Sequence, residues 1–130
     1  MTQFKLLRGV YVVTLAPEGA GSGGKEDVEH FVEQAVESLP AGSRAILVDM
    51  EGVRMLRSSG LGALLSACEQ LKIRGLRMGV CRIPAFGRNL FKISGLDQLL
   101  LVFKDVEEGL DALGWGDAEA AAASGDPSPR

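Results

Sequence analysis

Apolar residues recur along this chain with two different periods, and the change from one to the other predicts alternating strands and helices. Short runs rich in β-branched or continuously apolar residues are typical of strands. Longer segments with apolar residues at three- and four-residue steps are typical of helices that bury one face. The predicted strands are residues 4–8, 10–15, 44–50, 76–81 and 99–103. The predicted helices are residues 25–39, 59–73, 84–93 and 106–113.

This order of elements indicates an α/β fold. A turn at Gly9 joins the first two strands as a hairpin, and the later strand–helix–strand units favour parallel strands with helices packed over the sheet. We therefore expect a mixed sheet of about five strands with about four helices. The length of 130 residues favours one domain. We assign it to residues 1–115 and expect the alanine-, serine- and proline-rich residues 116–130 to form a disordered tail.

The composition excludes several classes of function. The net charge of −3 argues against general nucleic-acid binding, which needs a basic face. No apolar run is long enough to span a bilayer, and no segment resembles a signal peptide, so we expect a cytoplasmic protein.

Cys68 and Cys81 fall within apolar patterns, which predicts buried, reduced thiols. No metal-ligand spacing and no cofactor motif other than the glycine loop treated below is present, and the single histidine, His30, lies on a polar helix face.

The most informative stretch is Ser58-Ser59-Gly60-Leu61-Gly62, where a loop after an apolar strand leads into a helix. A hydroxyl at a helix start lies beside free backbone N–H groups and the positive end of the helix dipole, which favours a phosphate. The simpler alternative is that Ser58 or Ser59 only caps the helix, a role worth about 1 kcal/mol.

The segment from Asp49 to Leu65 closely resembles the STAS family, the sulphate transporter and anti-sigma factor antagonist domains. Antagonists of this family have an apolar strand that ends in Asp, then a loop, then Asp-Ser-Ser/Thr-Gly-Leu-Gly at a helix start. This chain has Arg57 where that second Asp stands, and the rest matches. Residues 83–97 resemble a later helix and Gly-Leu turn of the family, and the resemblance extends over residues 10–113.

The resemblance implies an anti-sigma factor antagonist that binds an anti-sigma factor with serine kinase activity and is released by phosphorylation. By position the acceptor is Ser58, with Ser59 as the alternative. The docking surface implied by the motif comprises Arg54, Met55, Leu56, Arg57, Ser58, Ser59, Gly60 and Gly62. Such a protein acts by binding, without catalysis and without a cofactor or metal.

Two alternatives remain open. The first is a STAS subunit of a membrane lipid-transport complex, in which the same helix start docks on an ABC ATPase without phosphorylation. The second is a nucleotide hydrolase, because residues 19–25 match the P-loop pattern GxxxxGK between a strand and a helix. Glu26 follows where a P-loop has Ser or Thr for Mg²⁺, which disfavours the second alternative.

Overall fold

A computed structural model of the chain describes residues 3–15, 23–95 and 100–114. The strands are β1 (Gln3–Leu7), β2 (Val10–Thr14), β3 (Ala45–Asp49), β4 (Arg77–Cys81) and β5 (Leu101–Phe103). The helices are α1 (Lys25–Glu37), α2 (Ser58–Ile73), α3 (Ala85–Ser94) and α4 (Val106–Leu113). The predicted α/β class is confirmed, and no predicted bound differs from the observed one by more than two residues. The predicted tail, residues 116–130, and most of the glycine loop lie outside the described residues.

The five strands form one sheet in the order β1-β2-β3-β4-β5. The β1–β2 pair is antiparallel, and its hairpin turn places both Arg8 and Gly9 at positive φ, as a tight two-residue turn requires. The pairs β2–β3, β3–β4 and β4–β5 are parallel. The sheet is therefore mixed, as predicted, and β3 lies at its centre.

The sheet is covered on both faces, which explains the uninterrupted apolar run of β3. Alternate side chains of β3 enter two separate cores. Ile46 and Val48 join the larger core, to which α1 and α2 contribute Phe31 and Leu64. On the opposite face, Ala45 and Leu47 pack with Leu110 and Leu113 of α4. All five residues of β3 are buried, including its last, Asp49.

The carboxyl ends of the parallel strands lie at one edge of the sheet, and the loops that leave them lead to helix starts. The paired registers place Thr14 of β2, Asp49 of β3 and Cys81 of β4 side by side at this edge. Ligands and partners of open α/β sheets commonly bind at such an edge. The serine motif follows the middle one of these three strands.

Candidate functional site at the start of α2

Residues 50–57 connect the central strand to α2 and are anchored by burial. The Val53 and Leu56 side chains are buried in the larger core, only 3% and 6% exposed. The Val53 N–H donates to the Met50 carbonyl at 3.0 Å, which closes a turn directly after the strand. The side chains of Arg54 and Met55, between the two anchors, are directed to solvent. Burial of Val53 and Leu56 therefore fixes the loop, while Arg54 and Met55 stay exposed to a partner.

Ser58 and Ser59 are the first two residues of α2, and both are exposed. The N-cap residue is Arg57, which has extended backbone angles, and its carbonyl accepts the Leu61 N–H at 3.0 Å. No side chain caps the helix. The alternative that one of the serines is the N-cap is therefore wrong, because both hydroxyls lie one or two positions further into the first turn. In that turn the backbone N–H groups have no partner within the helix.

Two glycines bring the starts of α1 and α2 into contact. The Arg57 N–H donates to the carbonyl of Gly23 at 2.8 Å. A β-carbon on Gly60 would lie 2.1 Å from that same carbonyl oxygen, and one on Gly23 would lie 2.3 Å from the Met55 carbonyl oxygen. Gly23 also has φ +74°, which favours glycine. The end of the glycine loop is thus packed directly against the serine motif.

The surface around the serines carries charge of both signs. An open depression between the two helix starts is lined by Gly24, Lys25, Glu26, Asp27, Arg57 and Ser59. Arg54 and Arg57 are exposed on the α2 side, whereas Glu26 is exposed and Asp27 half-buried in the first turn of α1. Two exposed arginines, Arg54 and Arg57, therefore lie within five residues of either serine in the sequence.

The structure separates the predicted docking residues into two groups. Exposed residues of the set are Arg54, Met55, Arg57, Ser58, Ser59 and Gly62. Met55 is 49% exposed, a high value for a large apolar side chain. Leu56 and Gly60 are buried, and the contacts of Leu56 in the core and of Gly60 against Gly23 are internal. Gly62 has no atom within 4 Å of where its β-carbon would stand, so its surroundings are open.

An ion-pair network that the sequence did not predict fixes the strand end that leads to the motif. Asp49, 1% exposed, accepts from Arg82 at both carboxylate oxygens, with Nε to Oδ1 at 3.0 Å. The Glu51 N–H also donates to Asp49 Oδ1, at 3.2 Å, and Glu51 Oε1 lies 3.1 Å from Arg82 Nη1. The hydrogen bonds that Arg82 donates to Asp49 raise the pKa of the Arg82 guanidinium above its ordinary value. Asp49 is thereby committed to a structural ion pair.

The local sequence around Arg82 does not indicate its ion-pair partner, but the strand register could have indicated it. In the parallel register Asp49 lies opposite Cys81, so Arg82 directly follows the residue beside the buried carboxylate. Arg82 has φ +52°, a left-handed conformation that is rare for a residue with a side chain. The hydrogen bonds that Arg82 donates to both carboxylate oxygens of Asp49 hold the residue in that conformation.

The remaining candidate chemistry has structural roles or stays on the surface. Cys81 is fully buried, and burial together with the nearby Asp49 charge raises its thiol pKa to about 12. Cys68 is half-buried, and burial raises its pKa as well. His30 is exposed on α1. Within residues 3–15, 23–95 and 100–114, no cluster of potential metal ligands occurs and no helix has the length and apolarity to cross a bilayer.

Comparison with known proteins identifies the family. The sequence model of the STAS domain matches residues 25–109 of the 130. The matched segment runs from the start of α1 into α4. The chain therefore belongs to the STAS domain family, as the motif predicted.

Solved structures with this fold include several anti-sigma factor antagonists. One is a STAS domain protein of this type from Planctomyces limnophilus, 18% identical, with a TM-score of 0.70 over 85% of this chain and 96% of that one. An antagonist from Mycobacterium paratuberculosis is 23% identical, with a TM-score of 0.67 over 87% and 92%. Phosphorylated SpoIIAA of Bacillus is 22% identical, with a TM-score of 0.58 over 86% and 98%. At these identities the likeness shows a shared fold.

Proposed function

We propose that this protein is an anti-sigma factor antagonist that binds an anti-sigma factor with serine kinase activity and is released when Ser58 is phosphorylated. The observation that carries the proposal is the position of Ser58: it is exposed, begins α2 and follows a loop anchored in the core. A partner can reach this hydroxyl without unfolding the chain. The proposal places the protein in the cytoplasm and its action in transcription regulation.

Helix-start chemistry supports a switch that acts on binding and leaves the fold intact. The partner kinase would transfer the γ-phosphoryl group of ATP to Ser58 Oγ, which loses its proton, and ADP would leave. The new group adds about −1.5 to −2 charges at pH 7. The helix dipole stabilises a negative charge there, and arginine side chains pair well with phosphate. On the docking surface the same charge would meet partner groups arranged for a neutral hydroxyl, and its desolvation would be costly.

A relative of the same fold supports phosphorylation as the form of regulation. SpoIIAA is described in both a phosphorylated and an unphosphorylated form, each with the fold of this chain. Together with the family resemblance of the Ser58-Ser59-Gly60 motif, this favours a phosphate-controlled antagonist. Ser59, exposed as the second residue of the helix, is the alternative acceptor.

Arg57 favours a second candidate function. The resemblance places an acidic residue at this position, and Arg57 is exposed beside the proposed acceptor. If no kinase recognises this altered motif, the same surface can still dock constitutively. The second candidate is therefore a STAS subunit of a membrane lipid-transport complex that binds an ABC ATPase through the start of α2 without phosphorylation.

Binding calorimetry with the host's anti-sigma factor kinase tests the first proposal. We expect wild-type protein and Ser58→Ala to bind, and Ser58→Asp to bind at least about tenfold more weakly because it places a fixed negative charge on the surface. Ser66→Asp is the matched control, since Ser66 is exposed further along the same helix. Equal binding of Ser58→Asp and wild type would overturn the switch. Recovery of an ABC ATPase instead of a kinase-fold protein in pull-downs from host cells would favour the second candidate.

A further inference from the structure

A second concave surface lies along the second half of α2. It is a groove of about 380 Å³ between this half of the helix and the strands β4 and β5, and Leu101 also lines it. The α2 residues of the groove run from Leu65 to Lys72, about 10 to 21 Å from Ser58 along the helix axis. The groove is lined by residues outside the serine motif.

The groove has an apolar floor. Three residues contribute to it: Leu65, half-buried on α2, Leu76, buried directly before β4, and Met78, buried in β4. Ile73 continues the same side of α2 one turn beyond Glu69 and is 86% exposed. Exposed apolar side chains that adjoin an apolar groove and are rimmed by polar residues are typical of interaction sites.

The rim of the groove is mainly basic. Lys72 and Arg77 line it, and Glu69 is the acidic residue among the lining residues. This local excess of positive charge stands in a chain whose net charge is −3. Complementarity of charge across an interface selects the partner and speeds its association, so the rim favours an acidic partner.

We propose that this groove binds an acidic amphipathic segment of a partner protein, with apolar side chains on the floor and carboxylates beside Lys72 and Arg77. A concave floor walled by a helix and a strand fits the ridge of a peptide, as in helix-in-groove recognition. A flat membrane surface would reach the rim but not buried Met78. The proposal concerns a surface other than the serine motif and does not depend on the phosphorylation switch.

Synthetic peptides test the proposal on the full chain. The probe is a 15-residue amphipathic peptide with leucines on one face and glutamates on the other; one matched peptide has lysine for each glutamate, and a second has serine for each leucine. We expect the first to bind, and both matched peptides to bind at least about tenfold more weakly. The double variant Lys72→Glu, Arg77→Glu should weaken binding of the first peptide by about tenfold or more. Lys5→Glu, an exposed charge reversal on β1, should leave it unchanged.

Cys68 reports where the peptide binds, because its half-buried thiol lines the groove whereas Cys81 is buried elsewhere. Bound peptide should slow maleimide modification of Cys68 in the wild type and not in the double variant. Circular dichroism checks that both variants fold. Equal peptide binding by wild type and the folded double variant, or unchanged Cys68 modification, would overturn the proposal. It would also be overturned if anionic phosphatidylserine vesicles bind through these residues while the glutamate peptide does not.

Discussion

The carbonyl oxygen of Gly23 occupies the space that a side chain on Gly60 would need. An ideal β-carbon on Gly60 would lie 2.1 Å from that oxygen, a distance that backbone atoms do not tolerate. The contact sets how closely the start of α2 approaches the loop before α1, and the Arg57 N–H bonds the same oxygen. The position of the serine motif therefore depends on a glycine that is itself hidden.

The first prediction is that Gly60→Ala destabilises the protein by about 1–3 kcal/mol, because the added methyl group must displace backbone. Gly62→Ala, two residues along the same helix, should be neutral or stabilise by about 0.5–1 kcal/mol, because its site is open and alanine favours a helix. Urea denaturation measures both. Similar stabilities of the two variants would contradict the Gly23–Gly60 contact.

The second prediction concerns the buried carboxylate at the end of β3. Asp49→Asn should lower the free energy of unfolding by about 2 kcal/mol, because Arg82 loses a charged, doubly hydrogen-bonded partner. The control is Asp111→Asn, which weakens the pair between Arg8 and an exposed carboxylate at 3.0 Å. That exposed pair should contribute less than about 1 kcal/mol. Equal losses in the two variants would argue against a structural role for Asp49.

The third prediction concerns stability at high pH. The pKa of Cys81 is about 12 in the folded protein against 9.0 for an ordinary thiol, so the folded state retains a proton that the unfolded chain releases. The stability contributed by this difference is complete below pH 9 and is lost as the pH rises from about 9 to about 12. Cys81→Ala should lack this component. Denaturation curves of both proteins across that range measure the difference, and parallel pH profiles would refute it.

The fourth prediction concerns Arg57. If the partner kinase positions its substrate through the acidic residue that the family motif carries, Arg57→Asp should raise the rate of phosphate transfer to Ser58. Arg54→Asp makes the same charge change at another exposed residue of the loop and is the control. Phosphate incorporation from ATP with the host's kinase is the measurement. Equal rates for wild type and Arg57→Asp would mean that Arg57 does not influence transfer.

The sequence predicted most of the fold because its strongest signals are local. The apolar run of β3 and the one-sided pattern of α1 specify their elements almost alone, and the right-handed crossover rule then orders the strands. Helix α4, predicted at residues 106–113, has those same bounds in the structure, where Asp105 caps it by accepting the Glu108 N–H at 2.9 Å. A polar side chain before an amphipathic segment is readable without tertiary information.

The site was predicted less completely because parts of it depend on contacts between distant segments. The exposure of Ser58 and Ser59 follows from their place at a helix start. By contrast, the burial of Gly60 depends on Gly23, and the role of Arg82 depends on the β3–β4 register. Leu56 looks like a neighbour of the motif in sequence, yet it anchors the loop in the core. Periodicity within one element cannot show such packing.

Mass spectrometry of phosphopeptides from the protein purified from its own host tests the central claim most directly. The account predicts a phosphate on Ser58, present under some growth conditions and absent under others, while Ser66 on the same helix stays unmodified. Ser58 and Ser59 that both remain unmodified under every growth condition, in cells where the anti-sigma factor kinase is active, would contradict it.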